Sequence, residues 1–432
     1  MADSRSAQPV LRDVSTSRPT SGASSNATSG ANSSTTPGAS DPAAPKRPNA
    51  ASVHPISAAN AASRDVVGGT AGLVAGNAAS GATSLSTRYR RGVSKRLLLL
   101  AFVVALGLIA IVADLAVGSG TLTLSQVIQA LIHPSQADAG TLVILRDIRM
   151  PITFTAALSG IGLALAGSLM QTSLQNPLAE PFTIGISSAA GCGAALAIVF
   201  QTSLAGLFPW IPSDLFISLN AFAFALCTVL FISLFARSDG LGIETVTLLG
   251  IAIHFVFASI LGMMQYFSDA DQLQSLVFWL MGSLLKSSWL KVGINAGLLV
   301  VLLPLIFFNS RSITTLRSFG DQAATLGLNV ARTRFLMLLA AALLASSITA
   351  TIGVVGFIGL VAPHIARLMV GEDQRLSLPM TAACGLLVMT LASIASKMIL
   401  PGGILPIGMV TSLLGVPFFL AQILWHKKRS RR

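Results

Sequence analysis

The chain has 432 residues, 53% of them hydrophobic and only 10% charged, with a formal net charge of +12. Soluble domains devote about 25% of their residues to Asp, Glu, Lys and Arg, so this composition excludes a purely soluble enzyme. The 6% aromatic content and 38 glycines suit close-packed spanning helices better than a β-barrel with aromatic girdles.

Residues 1–94 read as a disordered tail. Of the first 90 residues, 59 are Ser, Thr, Ala, Gly or Pro, and Tyr89 is the only aromatic. Such a segment cannot bury enough apolar surface to offset the entropy of ordering it. Residues 95–432 form the membrane domain, introduced by the basic run Arg90, Arg91, Lys95 and Arg96. The apolar stretch that follows is long enough to span, and no clear small-residue cleavage site succeeds it, so it reads as the first membrane helix and not as a removed signal.

A spanning helix needs about 20 mostly apolar residues. On that rule the spans fall at 97–118, 150–173, 183–200, 215–236, 245–267, 289–309, 333–353, 356–370, 377–399 and 405–425. Ten spans place both termini on one side. With the N-terminus in the cytoplasm, 17 Lys and Arg flank the spans inside, including Arg237, Arg311, Arg317, Arg332, Arg334, Arg367 and Arg375. Only Arg146, Arg149, Lys286, Lys291 and Lys397 lie outside, so the positive-inside rule puts both ends in the cytoplasm.

Along the second span, Ala156, Gly160, Ala164 and Ser168 recur every fourth position, a stripe that lets a neighbouring backbone approach closely. Pro304 and Pro417 interrupt spans, which membrane helices tolerate where neighbours re-satisfy the freed carbonyls. Cys192, Cys227 and Cys384 lie far apart inside apolar stretches and read as small hydrophobes packed between helices.

Reactive constellations are missing. There is no G-x-x-x-x-G-K-[ST] run, no H-E-x-x-H, no G-x-S-x-G and no metal-spaced His/Cys group, so the chain reads as neither a nucleotide-binding protein nor an intramembrane enzyme. Ionisable groups are also scarce where a proton- or sodium-coupled carrier places them. Asp114 and Glu244 sit near span ends, and His254 is the one midspan candidate. His254 either bonds a neighbouring helix or lines a path. A self-coupled secondary carrier is therefore the weaker alternative, and a transporter of this composition must take its energy from a partner.

The longest inside loop, 310–334, carries Gly320-Asp321-Gln322-Ala323-Ala324-Thr325-Leu326-Gly327. Asp321 can cap a short helix there and Gly327 can end it in the left-handed conformation. The segment is either an ordinary connection or a lever lying along the membrane on which a cytoplasmic protein pushes.

Four segments together resemble the permease subunit of ABC importers for iron complexes, haem and vitamin B12. The first is Arg146-Asp-Ile-Arg149-Met-Pro151 leading into Gly160 to Gln171. The second is Asn176-Pro-Leu-Ala-Glu-Pro181 with Gly185-Ile-Ser-Ser. The third is Ala323 to Gly327 in the loop. The fourth is Gly356 to Arg367, with Gly371 to Arg375, Leu405 to Gly408 and Gly415 to Phe418 after it.

The resemblance implies an all-α vitamin B12 importer permease-like fold of ten helices in a bacterial cytoplasmic membrane. It also implies a second permease chain, two cytoplasmic ABC ATPase subunits and an extracytoplasmic substrate-binding protein, with no nucleic-acid partner. This chain would bind no cofactor itself; ATP and Mg²⁺ would be used by the ATPase partner. Gly320, Asp321, Gln322, Ala323, Ala324, Leu326 and Gly327 would form the ATPase-coupling loop. Arg146, Arg149 and Lys397 match the docking positions for the binding protein, although such cations can equally anchor helix ends at the headgroups. His254, Gly408 and Gly415 would lie along the translocation path. The pattern is broken at Ser393, where an aspartate is usual, at Ile404, where a glutamate is common, and at Gln374, which replaces a histidine.

Overall fold

The computed structural model describes residues 92–118, 123–182, 184–200, 212–235, 243–400 and 403–430. The tail read as disordered lies outside them up to Arg91, while residues 92–94 already belong to the first helix. Among the described residues the regular structure is entirely helical, with no strand.

In chain order, α1 (Gly92–Ala116) is followed by the short α2 (Leu124–Ile132) and by α3 (Ala139–Ser173). Next come α4 (Ile186–Val199), α5 (Ser213–Phe235), α6 (Ile243–Phe267) and α7 (Ala270–Leu280). The second half holds α8 (Trp289–Phe308), α9 (Ser310–Phe319), α10 (Val330–Ile352), α11 (Ile358–Val370), α12 (Gln374–Met398) and α13 (Ile407–Ser430). Seven of these, α1, α3, α5, α6, α8, α10 and α12, are long and apolar enough to cross a bilayer. The apolar helices α4, α11 and the Ile407–Ala421 part of α13 are shorter. These ten coincide with the ten stretches expected from hydropathy.

Local chemistry marks the helix starts. Thr123 and Gln126 form a capping box on α2, and Asp269 and Gln272 form another on α7. Asp138, Ser288, Asn329 and Asp373 accept from first-turn amides of α3, α8, α10 and α12. These bonds satisfy amide donors that a helix leaves unpaired at its start. α3 begins well before the expected residue 150, because one π turn over Ile144–Arg149 carries the helix through the polar Arg-Asp-Ile-Arg run.

The small-residue stripe is a contact line. A Cβ on Gly160 would stand 2.3 Å from Gly385 O, so α3 and α12 touch backbone to backbone there. Two turns further along, a Cβ on Gly167 would stand 1.9 Å from Gly359 O of α11. The buried cluster around Leu165, Leu169, Met170, Leu338, Leu344 and Leu378 joins α3, α10 and α12. Gln171 Nε2 donates to Gly359 O at 3.1 Å across the same seam. Cys192 and Cys384 are buried as expected, but Cys227 is exposed on α5, because that face of the helix has no neighbour among the described residues.

Candidate functional site

Three places on the bundle gather the residues singled out by sequence. At the end of the bundle carrying the 310–334 loop, α9 leads into a 3₁₀ stretch, Gly320–Leu326, which Gly327 closes at φ +83°. Only Ala323 is buried; Asp321, Gln322, Ala324 and Leu326 are exposed, and so is Phe319 before them. Asp321 does not cap the segment. Its Oδ1 instead accepts from Arg334 Nη2 at 2.9 Å, tying the stretch to the start of α10, while Phe319 takes the cap position with no side-chain bond.

The base of this lever is fixed elsewhere. Arg317 pairs with Glu372, Arg367 stands 3.8 Å from the same carboxylate, and Thr314 Oγ1 accepts from Gln374 N at 3.1 Å. Gln175, at φ +48°, donates from Nε2 to Leu316 O at 3.0 Å. The α9 helix is thereby bound to the α11–α12 turn and to the end of α3, leaving an apolar tip of Phe319 and Leu326 in the open.

At the opposite end the three cations expected to act together are divided. Arg146 is exposed, and its carbonyl accepts from Trp289 Nε1 at 3.0 Å. Arg149 is buried, and its Nη1 donates to Leu115 O at 2.9 Å and Ala116 O at 3.0 Å. A guanidinium there satisfies carbonyls at the C-terminal end of α1 and complements the negative end of that helix. The Lys397 side chain is also covered, with Nζ 2.8 Å from Oδ2 of the fully buried Asp114. Thr153 Oγ1 donates to the same oxygen at 2.6 Å. The reason is Asp114: a carboxylate inside a span needs a cation and hydrogen bonds, and Lys397 and Thr153 supply them. Two of the three cations thus join α1, α3 and α12 from within.

Between these ends lies a junction of interrupted helices. Ser283 N donates to Ile352 O at 2.7 Å, Ile407 N to Gly282 O at 3.0 Å and Gly408 N to Met281 O at 3.1 Å. A Cβ on Gly408 would stand 2.4 Å from Met281 O, and one on Gly415 2.3 Å from Phe357 Cβ. Both glycines are therefore sites of close packing in α13. His254 is half-buried on α6, where its backbone lies against Gly185 at the start of α4. These three expected path residues lie on two helices, α6 and α13.

Sequence reasoning passed over Glu180, although it stands inside the quoted Asn-Pro-Leu-Ala-Glu-Pro run. Its Oε2 accepts from Phe357 N at 3.1 Å, and Phe357 sits in the left-handed region at φ +69°. The carboxyl thus supports the backbone where α10 breaks into α11. Burial raises its pKa to about 7, against the lowering effect of the Phe357 amide. The sequence signal was an acid in an otherwise apolar connection. The Asp114–Lys397 pair had a signal of the same kind, one acid and one base at the ends of two spans 283 positions apart.

A bundle of ten apolar helices, with an exposed loop braced at one end by ion pairs and hydrogen bonds, has the form of a transport permease. A profile of the FecCD transport family matches residues 100–425, and the chain belongs to that family. It is similar to the hemin transport system permease HmuU of Yersinia pestis, 33% identical over 323 residues, 74% of this chain and 95% of that one. The vitamin B12 import system permease BtuC of Vibrio cholerae is 34% identical over 274 residues, 63% and 80% of the two chains. The Fe(3+)-citrate import system permease YfmE of Bacillus subtilis is 33% identical over 288 residues, 66% and 83%. Among solved structures, a metal-chelate type ABC transporter in an inward-facing conformation superposes with a TM-score of 0.66 at 27% identity, covering 76% of this chain and 98% of that one. The chain is thus a multi-span membrane permease of the ABC importer class.

Proposed function

We propose that this permease moves an iron complex, a ferric siderophore, into the cell, with energy from ATP hydrolysed on a separate subunit. The observation that carries the coupling is the 320–327 stretch: an exposed apolar tip on a base held by ion pairs and hydrogen bonds to three helices. A rigid lever of this kind transmits a push into α3, α10 and α12 instead of absorbing it. In this reading both termini and the loop face the cytoplasm, where two ABC ATPase subunits dock and use ATP and Mg²⁺. A second permease chain packs alongside, and an extracytoplasmic binding protein delivers the substrate to the end bearing Arg146. Arg149 and Lys397 contribute by holding that end in shape, and Arg146 remains to meet acidic groups of the binding protein. Charge pairing of that kind speeds encounter and fixes register more than it adds affinity.

The iron-complex reading is supported by the iron-citrate and hemin relatives and by the metal-chelate type neighbour. The B12 relative supports cobalamin as a second cargo. The test is uptake into proteoliposomes holding the permease and its ATPase, with binding protein outside. Ferric siderophore should accumulate only with ATP, ahead of haem and cobalamin, and Leu326→Glu should abolish accumulation without changing the melting temperature. Uptake without an ATPase subunit would overturn the ABC reading; preference for haem or cobalamin would overturn the substrate alone.

A further inference from the structure

At the end of the bundle opposite the loop, a cavity of about 460 Å³ opens beside α4, α5, α7, α8 and α10. That size falls in the range of about 300–1,000 Å³ typical of small-ligand pockets. One wall is apolar, made by Ile198, Ile217, Trp279 and Ile352. The mouth is polar: Lys286 Nζ and Asp214 Oδ1 stand 3.2 Å apart there, both well exposed.

Deeper in the cavity lining is Lys291, only 8% exposed. Its Nζ donates to Lys286 O at 2.9 Å, and it forms no ion pair among the described residues. The nearby Asp214 is engaged by Lys286. A buried ammonium without its own counter-ion is costly, and the cost falls when an anion enters and accepts its remaining hydrogen bonds. A carboxylate meets this need, because hydrogen bonds between ions are shorter and stronger than neutral ones. The apolar wall behind it asks for a hydrocarbon body on the same molecule. Together, two lysines against one aspartate and a greasy wall select an amphipathic anion over a short polyanion that would leave that wall dry.

We propose that this cavity binds an amphipathic carboxylate of the fatty-acid kind, its head on Lys291 with Lys286 near by, and its chain along Ile198, Ile217 and Trp279. The site lies within one chain and is independent of the cargo and of the ATPase coupling proposed above.

The test uses the full chain in lipid nanodiscs with a trace of a diazirine-bearing C16 fatty acid, irradiated and mapped by peptide mass spectrometry. Adducts should concentrate on the peptides carrying Trp279 and Ile352. Excess oleate should remove them and excess citrate should not. Lys291→Gln should lower labelling about tenfold, the equivalent of about 1.4 kcal/mol, and should not lower the melting temperature. Ser275→Trp, an exposed position at the cavity rim, should block labelling while leaving the fold intact. Labelling spread evenly over the largely exposed α6, labelling unchanged in both variants, or displacement by citrate would each overturn the assignment.

Discussion

The helices α3 and α6 are both apolar enough to cross a bilayer and have opposite surroundings. In the most apolar stretch of α3, 83% of residues are buried within the chain; in α6 the figure is 11%. The side chains match this difference. The α3 helix presents Gly160, Ala164, Gly167 and Ser168 to neighbours, so that backbones touch. The α6 helix presents Leu248, Phe255, Val256, Met263 and Phe267 outward. Lipid tails are as apolar as leucine, so helix association in a membrane comes from close packing and polar contacts and not from hydrophobicity. Small residues therefore mark the lines where backbones touch, and on α6 large apolar residues mark the face left to lipid or to another chain.

Four tests probe that contrast. The largest effect is expected from Gly167→Val, which would drive a Cβ against Gly359 O on a backbone that cannot yield. Overpacking ordinarily costs about 1–3 kcal/mol, and a backbone clash exceeds that, so the variant should fail to give monodisperse protein after extraction. Gly293→Val in α8, where nothing lies within 4 Å, should purify and melt like the parent. Equal behaviour of the two would remove the distinction between inner and outer helices.

Next is Asp114→Ala, which leaves Lys397 buried without its carboxylate. Breaking one partner of a buried pair costs about 3–5 kcal/mol, to be read as a lowered melting temperature in detergent. Replacing both, as in Asp114→Ala with Lys397→Met, should recover most of the loss; a double variant as unstable as the single one would mean the pair does not join α1 to α12.

Glu180 gives a smaller, pH-dependent effect. Its folded pKa, about 7, lies above the ordinary carboxylate value, so the folded chain holds a proton that the unfolded chain releases. The stabilising contribution is complete below the ordinary range, about pH 4, and is lost as pH rises through 7. Melting temperature should therefore fall between pH 5 and 7.5 relative to Glu180→Gln, which keeps an acceptor for Phe357 N but cannot titrate. Parallel profiles would show that this carboxyl is not held neutral.

Asp321→Ala should change least. Its partner Arg334 is mostly covered, but the carboxylate is exposed, and exposed pairs contribute about 0–1 kcal/mol. Thermal stability should stay within that margin, and a loss several times larger would mean the loop is part of the core.

Hydropathy alone located all ten apolar segments, and the four-residue recurrence in the second of them marked the α3 contact line before any neighbour was known. The left-handed end at Gly327 was legible because glycine adopts positive φ without strain. The candidate site was legible only in part. Asp321 looked like a cap because its position fitted one, yet Arg334, 13 residues on, captured its carboxylate. Arg149 and Lys397 looked like surface cations because they stand at span ends, and nothing local reveals that Asp114 and the last carbonyls of α1 draw them inward.

Length of apolar run, spacing of small residues and choice of capping residue are local properties, and they determined the ten apolar segments, many of their boundaries and the membrane setting of this protein. The tertiary structure alone decided which charges are shared between distant spans, where three interrupted helices meet, and that Lys291 lines a cavity with no ion pair among the described residues. Those outcomes depend on which chain segments share a low-dielectric interior, where an ion must find a partner however far away in sequence.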